Sequence, residues 1–153
     1  MTTERRLARS GFDLTRDYPS PVERVWDAFA VEDEKLRWWG AGSSMKAREW
    51  VFDFRVGGRD IAESAFHDRP TSRYEATYTD IVEHVRIVTT YDMWIDGVHM
   101  STSVASLEFE AIDGGTRFTH IEHGVFFDQF WEGGVGREQG TRGLLEALGR
   151  YLA

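Results

Sequence analysis

The sequence predicts an α+β fold: a curved antiparallel sheet of about six or seven strands wrapped around one long C-terminal helix, with two short helices after the first strand. Three observations carry this. Apolar residues recur at helical spacing in only two places, near the start and at the very end of the chain. Between about Arg48 and Phe127 the period is two, as in half-buried strands. Inside that stretch Asp96-Gly97 and Asp113-Gly114-Gly115 are tight-turn signals, which make the neighbouring strands antiparallel. A sheet of this size cannot leave both faces wet, and the terminal helix is the one long amphipathic element able to cover it.

Phe12 to Tyr18 reads as the first strand. Ser20 is then expected to cap a helix, with Pro21 at its first position and Glu23 reaching back as in a capping box. Val22, Val25, Trp26 and Phe29 give that helix one apolar face. A second short helix is expected over Glu32 to Trp38, with acids at its start, Lys35 and Arg37 later, and Gly40 at its end. Strands are expected at Trp50–Val56 and Arg59–His67 around the Gly57-Gly58 turn, followed by a loop from Asp68 to Ser72. Tyr74, Ala76 and Tyr78 share a face of the next strand; Val85, Ile87, Thr89, Tyr91 and Met93 share a face of the one after. Two longer strands, about Val98–Ile112 and Thr116–Phe127, flank the second hairpin, and a bulge is expected between Val104 and Leu107. Leu144, Leu145, Leu148, Tyr151 and Leu152 mark the final helix, expected to begin near Val135 or Gly136.

Composition narrows the function classes. The chain of 153 residues has a net charge of −8, which opposes a phosphate backbone; Arg5, Arg6 and Arg9 form too small a basic patch to reverse it. With no cysteine there is no disulfide, thiolate nucleophile or Cys-ligated metal. No apolar run reaches the ~18 residues of a membrane span, and Met1–Arg9 does not read as a signal peptide, so a cytoplasmic location is expected with neither nucleic acid nor membrane as partner. No Gly-x-Ser-x-Gly elbow is present, and neither Gly57-Gly58 nor Gly133-Gly134-Val135-Gly136 sits in a nucleotide-loop context. The aromatic content is high: six Trp, ten Phe and five Tyr, enough for a large core and part of a cavity wall as well.

Five segments, in order along the chain, resemble the SRPBCC, or START-like, helix-grip superfamily. They are Ser20–Phe29, Arg37-Trp38-Trp39-Gly40, Arg55-Val56-Gly57-Gly58-Arg59, Ile121–Phe126 and Arg137–Leu145. The branch they resemble most is that of bacterial proteins similar to the C-terminal domain of the activator of heat-shock-protein-90 ATPase, often described as polyketide-cyclase-like. The resemblance implies a single helix-grip domain over 1–153, with residues 1–9 flexible, and a cavity for a small apolar or amphipathic molecule between sheet and C-terminal helix. It assigns no reaction, because fold does not dictate function. A cyclase, dehydratase or hydrolase acting on a small hydrophobic carbonyl compound is the alternative, and a co-chaperone-like interaction a further one. No cofactor is implied, and a homodimer is an open alternative to a monomer.

The cavity is expected to be lined by aromatics from the helix pair and the strands: Trp39, Phe54, Phe66, Tyr74, Tyr78 and Tyr91. Met93, Phe118, Phe126 and Leu145 are expected beside them, and Arg55, His120 and Glu122 as the polar groups. His120 and Glu122 share a strand face, which the resemblance turns inward with Phe118. Such a pair could act as general acid and base on a carbonyl substrate, or could be a polar pair hydrogen-bonded within the core. A metal would need a third ligand such as His99, and none is assigned. Asp53 and Arg55 form either a surface ion pair or an anchor for a ligand's carbonyl or carboxylate.

Overall fold

A computed structural model describes residues 5–39, 46–65 and 70–153, with residues 46–48 as backbone alone. The elements run β1 (Leu7–Tyr18), α1 (Val22–Ala30), α2 (Glu32–Trp38), β2 (Lys46–Phe52), β3 (Arg59–Ala65), β4 (Ser72–Val82), β5 (Arg86–Ile95), β6 (Val98–Ile112), β7 (Gly115–Phe127) and α3 (Gly133–Leu152). The strands form one seven-stranded antiparallel sheet in the order β1-β7-β6-β5-β4-β3-β2. Every neighbour in this order except β1–β7 is consecutive in sequence, so short hairpins build most of the sheet and β1 returns to close its far side. No helix among the described residues is long and apolar enough to cross a membrane.

The core lies where α1 and α3 pack on the sheet. Val25, Trp26 and Phe29 of α1 meet Phe109 of β6 and Phe118 of β7, with Phe29 stacked on Phe118 at 5.1 Å and Trp26 edge-on to Phe109 at 5.0 Å. Leu145 and Leu148 of α3 close this cluster from the other side. Ring pairs of this kind add about 0.5–1.5 kcal/mol each beyond their buried area. Polar handles complete the packing: Trp38 Nε1 donates to the Ala28 carbonyl at 2.8 Å, and the Tyr18 hydroxyl donates to the Leu145 carbonyl at 2.7 Å.

Several expectations are corrected. β1 starts at Leu7 rather than Phe12, and Leu7–Arg9 pair with Phe127–Val125 of β7. Ser10 and Gly11 give no apolar signal; they are strand because β7 offers them a backbone partner. Gly11 has to be small there, since a Cβ would lie 2.5 Å from His123 Nδ1. Ser20 does not cap α1 with its side chain: Pro21 flanks the helix, no side chain caps it, and the Ser20 carbonyl instead accepts from Thr116 Oγ1 at 2.7 Å. β2 ends at Phe52 rather than Val56, because Asp53–Gly58 curls into a turn with Gly57 at φ 85° and the Gly58 amide bonded to the Arg55 carbonyl. Gly40, Phe66, His67 and the Asp68–Arg69 part of the loop lie outside the described residues.

No bulge separates Val104 from Leu107. The β6–β7 register is unbroken there, and Ser101, Ser103, Ala105, Leu107 and Phe109 keep one inward parity while Val104 faces out. The irregularity is at Met100, where Met93 pairs Ser101 but Trp94 pairs His99. α3 starts at Gly133, two or three residues early, after a 3₁₀ turn over Asp128–Phe130. Gly133 and Gly134 let it begin tight against the sheet: Cβ atoms would lie 2.7 Å from Phe126 Cδ2 and 2.1 Å from Ser10 Oγ, respectively.

Candidate functional site

Where α1 and α3 leave the sheet uncovered, a cavity of about 580 Å³ opens between α3, α2 and the inner face of β3–β7. Alternation along the strands dictates its wall. Tyr74 and Tyr78 of β4, Tyr91 and Met93 of β5, Ala105 and Leu107 of β6, and His120 and Glu122 of β7 all project inward. Opposite them α3 presents a stripe at three- and four-residue spacing that includes Gly136, Arg137, Gly140, Thr141 and Leu144. Gly136 and Gly140 line the cavity and have open space where a Cβ would be. The wall reaches the surface at exposed Glu132, Gly136 and Gly140.

Two polar clusters interrupt the apolar wall. In the first, Glu122 (side chain 5% exposed) accepts a hydrogen bond from the Tyr91 hydroxyl at Oε2, with His120 Nε2 at 3.1 Å from Oε1. Arg137 (11% exposed) donates to the Tyr91 hydroxyl and to Ser101 Oγ, both at 2.8 Å, with its Nη1 3.6 Å from Glu122 Oε2. Its guanidinium also lies 4.9 Å from the centre of the Phe126 ring. In the second, Lys35 Nζ makes a close ion pair with Asp60 Oδ2, and the Tyr78 hydroxyl donates to the same oxygen at 3.1 Å. Lys35 rests on the Trp39 and Phe52 rings, at 5.0 and 5.2 Å. Burial holds the hydroxyls of Tyr74, Tyr78 and Tyr91 well above the ordinary tyrosine value, so Tyr78 and Tyr91 stay protonated and donate to the carboxylates.

These placements sort the residues expected from the sequence. Trp39, Phe54, Tyr74, Tyr78, Tyr91, Met93, His120, Glu122 and Leu145 lie on the cavity wall. Phe118 and Phe126 do not: they are buried behind it, Phe118 in the aromatic core and Phe126 under Gly133 and Arg137. Arg55 is at the surface, 69% exposed and bonded to Asp53 at 2.8 Å, because the turn after β2 swings it outward. Phe66 lies outside the described residues. His99 is turned to the opposite face by the irregularity at Met100 and contacts Asp92 at 2.9 Å, so it does not converge with His120 and Glu122. Among the described residues no cluster of three or more His, Asp or Glu could hold a metal ion.

Sequence reasoning missed Lys35, Asp60 and the role of Arg137. Lys35 sits on a short helix of mostly charged residues and Asp60 on a hairpin strand 25 residues away, so neither carries a local signal of their pairing. Arg137 was legible only as the opening of the last helical segment. A carboxylate turned into an apolar cavity calls for a cation, and Arg137 is the one that geometry supplies.

The family described as activator of Hsp90 ATPase homolog 1-like protein matches residues 19–153. Among solved structures, a protein from Rhizobium loti is 39% identical, with 95% of this chain and 99% of that chain covered and a TM-score of 0.87. An uncharacterised protein from Rhizobium leguminosarum is 31% identical over 98% of both chains, with a TM-score of 0.91. A protein from Chromobacterium violaceum at 20% identity, with 94% and 96% covered and a TM-score of 0.75, shares the fold. No match was found among curated proteins.

Proposed function

The chain belongs to the activator of Hsp90 ATPase homolog 1-like family, and we propose that it binds a small apolar or amphipathic molecule in the cavity between its sheet and C-terminal helix. One observation carries this reading. The cavity of about 580 Å³ falls within the range of small-molecule sites and joins an aromatic wall to a few fixed polar groups. A protein selected only for a packed core has no reason to leave that volume open, since each unfilled space forfeits contacts. Small residues maintain the space: Ala62, Ala105, Gly136 and Gly140 lie where larger side chains would close it.

The test is native mass spectrometry of freshly purified protein beside a denatured sample, followed by thermal unfolding with candidate ligands. A mass lost on denaturation, or a rise in melting temperature with ligand, is the expected result. Gly140→Leu, which builds a side chain beside the cavity, should weaken binding while the protein stays folded. Binding unchanged by that variant would place the ligand elsewhere.

A second reading is catalytic, and one observation favours it: His120 lines the cavity with Nε2 held by Glu122. In this reading Glu122 orients the imidazole, which exchanges a proton with a small hydrophobic carbonyl substrate in a cyclase, dehydratase or hydrolase reaction. Arg137 and Tyr91 then hold the Glu122 side chain in place. Glu122→Gln should lower turnover by two or more orders of magnitude, roughly the usual contribution of acid–base catalysis, without loss of ligand binding. Turnover unchanged by that variant would remove Glu122 from the chemistry.

A further inference from the structure

We infer that the cavity selects an uncharged or cationic molecule carrying a hydrogen-bond donor and discriminates against carboxylates, because both cations on its wall are already neutralised by carboxylates of the wall itself. This inference rests on the binding reading above and goes further by naming the chemistry of the occupant.

Neither cation is free to meet an anion. Arg137 spends its two terminal nitrogens on Tyr91, Ser101, Ser103 and the Met100 sulfur, with Glu122 at 3.6 Å. Lys35 is committed to Asp60 and wedged over two aromatic rings. Among the described residues the charged groups of the wall are these two pairs and Glu132 at the rim, which leaves an excess of negative charge when His120 is neutral. A ligand carboxylate would give up its hydration with no counter-ion in return and would face that excess.

The remaining hydrogen-bonding capacity points the same way. Asp60 is almost fully buried, and among the described residues its Oδ1 has no partner, while Oδ2 takes both Lys35 and Tyr78. The hydroxyls of Tyr78 and Tyr91 are spent as donors on carboxylates. The group left without a partner, Asp60 Oδ1, is a buried acceptor, so a ligand group that reaches it has to be a hydroxyl, amine or amide N–H. Asp60 and Tyr91 are connected across the sheet by register, Asp60 to Ala76 and Ala76 to Tyr91, about 10 Å at two strand spacings. A molecule of two fused or linked rings could therefore touch both clusters.

The experiment compares three probes on one skeleton at neutral pH: biphenyl-4-methanol, biphenyl-4-methylamine and biphenyl-4-carboxylate. Affinity is read by calorimetry and by quenching of the cavity tryptophans Trp38 and Trp39. The alcohol and amine should bind, and the carboxylate should bind at least about tenfold more weakly. In Asp60→Asn, Lys35 loses its counter-charge, so the carboxylate should gain affinity and the ranking should narrow or invert. Glu122→Gln releases Arg137 in the same way and carries the test if Asp60→Asn does not fold. A carboxylate that binds the native protein as tightly as the alcohol overturns the inference and leaves the binding reading standing. If the carboxylate gains nothing in either folded variant, wall neutralisation is not the cause and the inference also fails. If none of the three binds, both readings fall together.

Discussion

Replacing Arg137 with methionine tests whether the buried cluster is held together by charge compensation. Methionine replaces the apolar stem with one of similar character and removes the guanidinium. Glu122, 5% exposed, then remains with Tyr91 and His120 but without its cation. Removing one member of a buried pair costs about 3–5 kcal/mol, because the survivor is left desolvated and unpaired. In a chain of 153 residues each kcal/mol shifts the melting temperature by roughly 2–4 °C, so Arg137→Met should melt on the order of 10 °C lower. Thermal and urea unfolding of the wild type, Arg137→Met, Glu122→Gln and the double variant form a complete cycle. The double variant should recover most of the loss, since no unpaired charge remains. A single-variant loss below about 1 kcal/mol, or a double variant no more stable than Arg137→Met, would refute compensation as what holds Glu122 in the wall.

Two further outcomes follow from particular contacts. Burial raises the Tyr18 hydroxyl from 10.0 to about 12, and it donates to the Leu145 carbonyl. Because the folded value is the higher one, the protonated form stabilises the fold fully below pH 10 and is lost as pH rises through about 12. Urea unfolding along this limb should therefore show falling stability, and Tyr18→Phe should flatten part of it; an unchanged slope would exclude Tyr18. The same substitution at two glycines of α3 should have opposite signs. Gly134→Ala places a Cβ 2.1 Å from Ser10 Oγ and should cost about 1–3 kcal/mol, whereas Gly140→Ala meets nothing within 4 Å and should gain up to about 1 kcal/mol of helix propensity. Equal effects in urea unfolding would show that α3 does not approach β1 as closely at its start.

The overall architecture was legible because its signals are local. The turns at Asp96-Gly97 and Asp113-Gly114, the alternation through β4 to β7 and the apolar spacing of α1 each depend on a few adjacent residues. The inward parity of His120 and Glu122 followed from the resemblance together with that alternation, and both side chains do line the cavity. Where backbone pairing with a distant partner decides the conformation, the sequence misled. Ser10-Gly11 became strand through β7, and the inward row of Ser101 and Ser103 reads as polar surface until Arg137 is seen to donate to both.

By itself, then, the sequence determined a hairpin-built sheet, two short helices and a covering C-terminal helix, because propensity, turn chemistry and hydrophobic period act between near neighbours. The tertiary structure alone decided which cations meet which carboxylates. Lys35 and Asp60 are 25 residues apart, and Arg137 of α3 meets Glu122 of β7, so no spacing along the chain encodes either meeting. Their pairing is a consequence of sheet register and of the angle at which α3 crosses the sheet, and burial is what makes each pairing obligatory: a charge inside an apolar wall must have its partner there.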